Sequence, residues 1–363
     1  MLPEKGLLFH DPSHLVAQSL RFGVGSPGRG TRVLGQRRGG GAGPAHYALP
    51  RSPADRRRTL PLRPRALPIL VLTLALAGCA SRPGADSAQC VPEGRWVRPA
   101  GAKPIPARDL LARAAAAPAV LLGERHDSAA HHRWQLDTLA ALHRVRPDLV
   151  LGLEMLPRRA QGPLDRFAAG EMGEAEFLAA VDWKKVWGYD PELYMPLLRF
   201  ARDKRIPLVA LNVGRDLVRQ TSKGGWAAVP VAAREGLGDP APPPPGYVAR
   251  LTDIFAAHGR GKDGTFDPED PGFRRFVDAQ LVWDRAMAEG IAAAHRRDGA
   301  LVVGIMGGGH VEYGDGVAYQ LRDLGLEGSL GLLPWEGDRD CAELAPDLAD
   351  AVFGLPPEDP PGR

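Results

Sequence analysis

Apolar positions in this 363-residue chain fall into two kinds of run. Five runs are short, continuous and rich in Val, Leu and Ile: residues 118–123 (PAVLLG), 149–154 (LVLGLE), 206–212 (IPLVALN), 300–306 (ALVVGIM) and 329–334 (SLGLLP). Continuous runs of this length predict strands buried on both faces, because a strand with one wet face would alternate. Between them, apolar residues recur three and four apart over 131–145, 161–180, 191–204, 245–258 and 273–296, which predicts helices. Strands separated by helices give a central, mostly parallel sheet flanked by helices, the α/β class. The proline tract 239–246 (DPAPPPPG) reads as a spacer within a helical insertion. No repeat of fixed period is present.

One apolar run is of another kind. Residues 66–77 (ALPILVLTLALA) follow a group of arginines, Arg51 to Arg65, and end in Leu76-Ala77-Gly78-Cys79. A positive flank, a short uncharged core and small residues before a cysteine predict a bacterial lipoprotein signal, with Cys79 as the lipidated residue. The core is too short to span a bilayer, so the acyl chains on Cys79 would supply the membrane anchor. Ala80 in place of Asp after the cysteine favours the outer membrane, on its periplasmic side. The organisation expected is a removed leader and signal peptide over 1–78, a polar tether over 79–93, an α/β domain over 94–345 and a Pro-rich tail over 346–363. Residues 1–50 are rich in Gly, Arg and Pro without periodicity, which suggests a translation start further downstream.

This division changes the meaning of the charge. Residues 1–78 hold twelve Lys and Arg against three acids, so the +3 of the whole chain becomes −6 beyond them. The exported portion has no basic patch that would track a nucleic acid backbone. Cys90 and Cys341 lie near opposite ends of the expected domain. In an oxidising compartment they would pair if the ends meet, and otherwise remain separate thiols.

In an α/β sheet, ligands gather at the carboxyl ends of the strands. Here the runs end in Gly123-Glu124-Arg125-His126 with Asp127 and His131-His132 beyond, in Glu154, in Asn212, and in Gly307-Gly308-Gly309-His310 with Glu312 and Tyr313 beyond. If those strands are neighbours, Glu124, His126, Glu154 and His310 face one cavity. Two carboxylates with two imidazoles suit a divalent metal, or act as acid and base without one. The plainer alternative is that each side chain caps a helix or satisfies local backbone donors. Gln280 and Asp284 share a helix face that either reaches the cavity or faces water, and Arg125 either orients a carboxylate or is solvated. Trp183 with Trp187, and Phe273, Phe276 and Trp283, either wall a ligand or fill the core.

The segments VLLGERHDSAAHHRWQL, LGLEMLPRRAQ, WKKVWGYDPELYMPLL, ALN, DAQLVWDRAMAE and GIMGGGHVEYGDGVAYQL occur in that order. Together they resemble the ChaN family of iron-regulated, haem-binding lipoproteins, which is similar in turn to the erythromycin-esterase and Tiki/TraB grouping. The resemblance covers residues 94–333. It implies haem as the ligand, a role in haem or iron uptake at the envelope, a homodimer, and an outer-membrane haem receptor as partner. It also implies ligation by a tyrosine, a hard anionic donor suited to ferric iron. The candidates are Tyr189, Tyr247 and Tyr313, with His258 in support, since each tyrosine follows a glycine or turn from which a loop would present it. The wider grouping implies a different reading: a hydrolase using Glu124, His126, Glu154 and His310, with or without a divalent metal. A third is a non-catalytic structural envelope protein.

Overall fold

The computed structural model describes residues 89–257 and 269–357. The signal segment, Cys79 and His258 lie outside the described residues. Eight strands form one sheet: β1 (Trp96–Arg98), β2 (Lys103–Ile105), β3 (Ala119–Glu124), β4 (Leu149–Pro157), β5 (Leu208–Asn212), β6 (Leu301–Gly307), β7 (Leu330–Glu336) and β8 (Ala351–Leu355). Their spatial order is β2-β1-β8-β7-β3-β6-β4-β5. The six strands from β8 to β5 are parallel, and β1 and β2 add an antiparallel edge. All five strands expected from apolar runs are present, in an α/β fold.

The described helices are α1 (Ala107–Ala116), α2 (Ala129–Val145), α3 (Gln161–Ala168), α4 (Glu174–Ala180), α5 (Trp183–Val186), α6 (Met195–Lys204), α7 (Arg215–Gly224), α8 (Pro245–Ala257), α9 (Pro271–Asp298) and α10 (Val317–Asp323). Every residue of β3, β4 and β6 is buried, as continuous apolar runs require of strands covered on both faces. Alternate residues serve opposite layers. Val120, Leu122, Leu151, Leu153, Val303 and Ile305 pack with Leu139, Leu142, Leu164 and Leu198 on one side. Leu121, Val150, Val302 and Met306 pack with Leu217, Val282, Ala286, Ile291 and Leu321 on the other. A smaller cluster of Tyr247, Leu251, Phe255, Phe273, Val277 and Leu281 joins α8 to α9.

Several boundaries differ from expectation. The segment read as a tail supplies β8, which pairs with β7 from Leu332↔Ala351 to Glu336↔Leu355. The tether, as far as it is described, is built into the domain: Val91 is buried and Glu93 bridges to Gly354. The helix expected over 161–180 is two, because Gly170 adopts φ +76° between them. Cys90 and Cys341 form a disulfide with Cα atoms 5.7 Å apart, so the domain does bring its ends together.

Candidate functional site

Strand order answers the condition set by the sequence. β6 lies between β3 and β4, with Glu124 opposite Gly307 and Leu153 opposite Ile305. The carboxyl ends that carry Glu124, Glu154 and the Gly-Gly-Gly-His segment are therefore adjacent. Gly307 is where the approach is tightest: a Cβ there would lie 3.1 Å from His126 Cε1 and 3.7 Å from His310 Cδ2. Glycine lets the two imidazoles flank one strand end.

Around each histidine the side chains form a linear chain of hydrogen bonds. On the β3 side, Tyr194 donates its hydroxyl to Glu124 Oε1 at 2.7 Å, and the same oxygen lies 2.8 Å from His126 Nδ1. His132, placed at the start of α2 by the Ser128 cap, sits with Nδ1 3.2 Å from Glu124 Oε2, close enough for ionic attraction but not aligned as a hydrogen bond. On the β6 side, Tyr247 donates to Asp284 Oδ2 at 2.5 Å, and Asp284 Oδ1 lies 2.7 Å from His310 Nδ1. Glu154 stands between the two chains. It accepts the Gly307 N–H at 2.6 Å, and its other oxygen lies 3.5 Å from His310 Nε2. Asn212 donates to the Glu154 carbonyl at 3.0 Å, which ties the end of β5 to the same point.

Burial and charge oppose each other throughout this cluster. Burial alone would raise the Glu124 carboxyl, but the charge of His132 and the bond to His126 outweigh it and hold the group below the usual carboxylate range. Burial likewise disfavours the His310 imidazolium, yet the charges of Asp284 and Glu154 carry it up to about 10. The same conflict, with the Glu124 bond prevailing, raises His126. Burial and then the neighbouring carboxylate push the phenols of Tyr194 and Tyr247 well above their ordinary range, so both remain donors.

Beside this cluster an open cleft, about 420 Å³ with the solvent at its mouth, is lined by Glu154, Met155, Arg159, Trp187, Arg215 and Trp283, among others. Tyr189 packs on Trp187, one of the lining residues: its ring centroid is 5.5 Å from that of Trp187 and 5.2 Å from that of His126. Next to the cluster, His131 accepts from the Arg125 N–H at 2.9 Å and reaches Glu336 Oε1 at 2.9 Å, which Arg125 Nη1 also contacts at 2.8 Å. Burial would raise Glu336, but its bond to His131 takes it down to about 2.

Glu124, His126, Glu154 and His310 thus converge, but not as a metal shell. Among the described residues no three His, Cys, Asp or Glu side chains are placed to hold an ion. Each carboxylate is turned toward an imidazole, a phenol or a backbone N–H, not toward a shared point. The expected walls also divide: Trp187 and Trp283 line the cleft, whereas Trp183 is buried, donating to the Tyr189 carbonyl at 2.8 Å, and Phe273 packs in the α8–α9 cluster.

Loop presentation fails for Tyr247 and stands for Tyr313, whose backbone is irregular at φ +60°. Tyr247 lies in the first turn of α8 at 3% exposure, bonded to Asp284. Tyr313 is half-buried under the Arg250 guanidinium, 4.3 Å from its ring centre. Sequence reasoning missed the roles of Tyr194 and Tyr247, and missed Glu336, Arg159 and Arg215 altogether. The strand-end rule applied to β7 would have found Glu336. Two residues further past β4 and three past β5 it would have reached Arg159 and Arg215.

A three-layer α/β sheet with paired Gly-x-x-His strand ends and an aromatic cleft at its carboxyl edge defines a ligand-binding class. The family described as haem-binding uptake, Tiki superfamily, ChaN matches residues 110–321, and the chain belongs to it. Among solved structures, it is similar to ChaN of Campylobacter jejuni, described with cofacial haem binding, at 20% identity and TM-score 0.55, over 71% of this chain and 95% of that one. The type III effector HopBA1 matches at 12% identity and TM-score 0.41, over 69% of this chain and 92% of that one. An erythromycin esterase, EreC, matches at 12% identity and TM-score 0.38, over 63% and 72%. No curated protein matches the chain.

Proposed function

We propose that this chain is a lipid-anchored envelope protein that binds haem for uptake of haem or iron, held through Cys79 at the periplasmic side of the outer membrane. The observation that carries the reading is the cleft lined by Trp187 and Trp283, with Tyr189 packed on Trp187, in a chain of a haem-binding uptake family. Two indoles offer flat apolar surface to a planar macrocycle. Of the three candidate tyrosines, Tyr189 is the one we assign to iron, because its ring packs against Trp187, which lines the cleft, and against His126. His126 lies against the Tyr189 ring, where an imidazole backed by Glu124 would take up a phenol proton as the oxygen bonds to iron. The order of basic flank, apolar core and Leu76-Ala77-Gly78-Cys79 supports export and lipidation. The Cys90–Cys341 disulfide supports an oxidising compartment.

Titration of the full-length chain with ferric haem tests the reading. A shifted Soret band with a tyrosinate charge-transfer feature is expected, and Tyr189→Phe should abolish that feature while Tyr313→Phe leaves it. A featureless titration overturns the function; a feature that survives Tyr189→Phe overturns the ligand. The two Tyr–carboxylate–His chains favour a second reading, hydrolysis, in which Glu154 on the cleft floor orients water. A screen of ester substrates with wild type and Glu154→Gln decides it, and equal inactivity of both removes it.

A further inference from the structure

Among the described residues, two large apolar side chains stand in solvent: Val145 at 52% exposure and Val231 at 79%. They lie on opposite sides of the sheet. Val145 ends α2, whose Leu139 and Leu142 pack into one apolar layer, whereas Val229, two residues before Val231, is buried in the other. Val231 also belongs to an unbroken apolar run from Trp226 to Ala233 (WAAVPVAA). In that run Ala227, Ala228, Pro230, Val231 and Ala232 are all exposed. A single exposed valine is ordinary surface, but a contiguous exposed run marks an interaction site.

The run is held firmly from beneath. Two short 3₁₀ turns, Trp226–Ala228 and Val231–Ala233, are joined through Val229 and Pro230. Val229 is buried, the Trp226 indole N–H donates to Asp239 at 2.8 Å, and the Arg234 guanidinium lies 4.2 Å from the Trp226 ring centre. Arg234 also donates to the Val229 carbonyl at 3.0 Å. The small apolar side chains are therefore fixed outward, which lowers the entropy lost on docking. Lys223, exposed in the last turn of α7, places a cation beside the run. An amphipathic indole, a proline-fixed apolar turn and a neighbouring lysine match the chemistry of a phospholipid interface.

The length of chain before the domain brings a bilayer within reach. Cys79 precedes Gln89 by ten residues, so an anchor there lies at most about 35 Å from the first described residue. Val91, at that end of the domain, belongs to the same apolar layer as Val229. We propose that the turn over 226–233 is a second membrane contact, which lays this side of the domain against a phospholipid surface. The proposal rests on the lipid-anchor reading and gives the anchored domain a fixed side toward the bilayer.

The test expresses the full chain with its own signal and reconstitutes the lipidated product in vesicles of phosphatidylethanolamine and phosphatidylglycerol. A bimane fluorophore is attached to Val231→Cys or, separately, to Val145→Cys. Both positions are exposed, so neither change disturbs the core. With Cys79 acylated and Cys90 bonded to Cys341, the new thiol alone takes the label. Flotation with the vesicles reports the anchor, and quenching by lipids carrying a nitroxide near the headgroup reports which side faces them. The Val231 probe should shift to the blue and lose emission to the nitroxide, while the Val145 probe does neither. The quenching should weaken as phosphatidylglycerol is replaced by neutral lipid. Equal behaviour of the two probes, or quenching of Val145 alone, overturns the contact and leaves the anchor standing. A blue shift that the nitroxide does not quench, and that grows with protein density, assigns the turn to a second copy and also overturns it. A chain that does not float with the vesicles removes the anchor as well.

Discussion

The two histidines at the carboxyl edge end chains of the same composition, Tyr–carboxylate–imidazole, yet the chains are assembled differently. In Tyr194–Glu124–His126, carboxylate and imidazole are two residues apart on one strand end, and His132 supports the same carboxylate. In Tyr247–Asp284–His310, the three groups come from α8, α9 and the segment after β6. His310 is engaged at both ring nitrogens, by Asp284 and Glu154. Among the described residues, no hydrogen-bond partner stands at His126 Nε2, and the rings of Trp187 and Tyr189 lie against it instead. The local chain leaves a functional group available beside the cleft, while the long-range chain uses its groups to lock elements together.

Removing each histidine is the strongest way to break this contrast. His310→Ala would leave Asp284 and Glu154 as buried anions without their shared cation, at a cost of about 3–5 kcal/mol. His126→Ala leaves Glu124 with His132 and Tyr194, and about 1–2 kcal/mol is expected from the lost contacts. Urea unfolding measures both, and equal losses would end the distinction. The pH dependence sharpens it. The folded His310 pKa of about 10 stands above the ordinary 6.5, so its stabilisation is complete below pH 6.5 and is lost as pH rises through 10. The stability difference between wild type and His310→Ala should therefore narrow across that window. Glu336, lowered to about 2 from 4.5, behaves oppositely: its contribution is present above pH 4.5 and lost as pH falls through 2.

A change outside both chains serves as a control. Replacing Cys90 and Cys341 together by Ser opens a loop with a sequence separation of 251 residues. The expected loss is about 2–4 kcal/mol, mainly through a less constrained unfolded chain. The difference made by His310→Ala should persist in this background, since the effects of distant sites add. A changed difference would mean that the terminal edge of the sheet and the site are coupled.

The same contrast explains what could be read from the sequence. Continuous Val/Leu/Ile runs announced β3 to β7 in order because strands buried on both faces have no freedom to alternate. β1, β2 and β8 escaped because three-residue strands, and one five-residue strand in a segment that looked like a tail, carry too few positions for a pattern. In the site, Glu124 and His126 were legible because partners two residues apart share one motif. Asp284 was left undecided between cavity and water, since only the crossing of α9 past β6 gives it His310. Tyr247 was misjudged for a related reason: the helix expected from 245 already contained it, but only the packing of α8 on α9 brings its hydroxyl to Asp284.

The smallest expected effect separates the chains at their outer ends. Tyr194→Phe and Tyr247→Phe each delete one hydroxyl and keep the ring, so neither opens a large cavity. Glu124 without Tyr194 still has His126 on the same oxygen and His132 beside the other, and a loss of about 1 kcal/mol is expected. Asp284 without Tyr247 keeps only His310 as a side-chain partner among the described residues, and its Oδ2 would be stranded beneath α8, so about 2 kcal/mol is expected. Because Tyr247 is in the first turn of α8, its loss should also speed amide exchange in that helix, whereas Tyr194→Phe should leave α8 unchanged. If hydrogen exchange finds α8 equally protected in both variants, the long-range chain is not what holds that helix, and the packing of Leu251 and Phe255 on Phe273 must carry it alone.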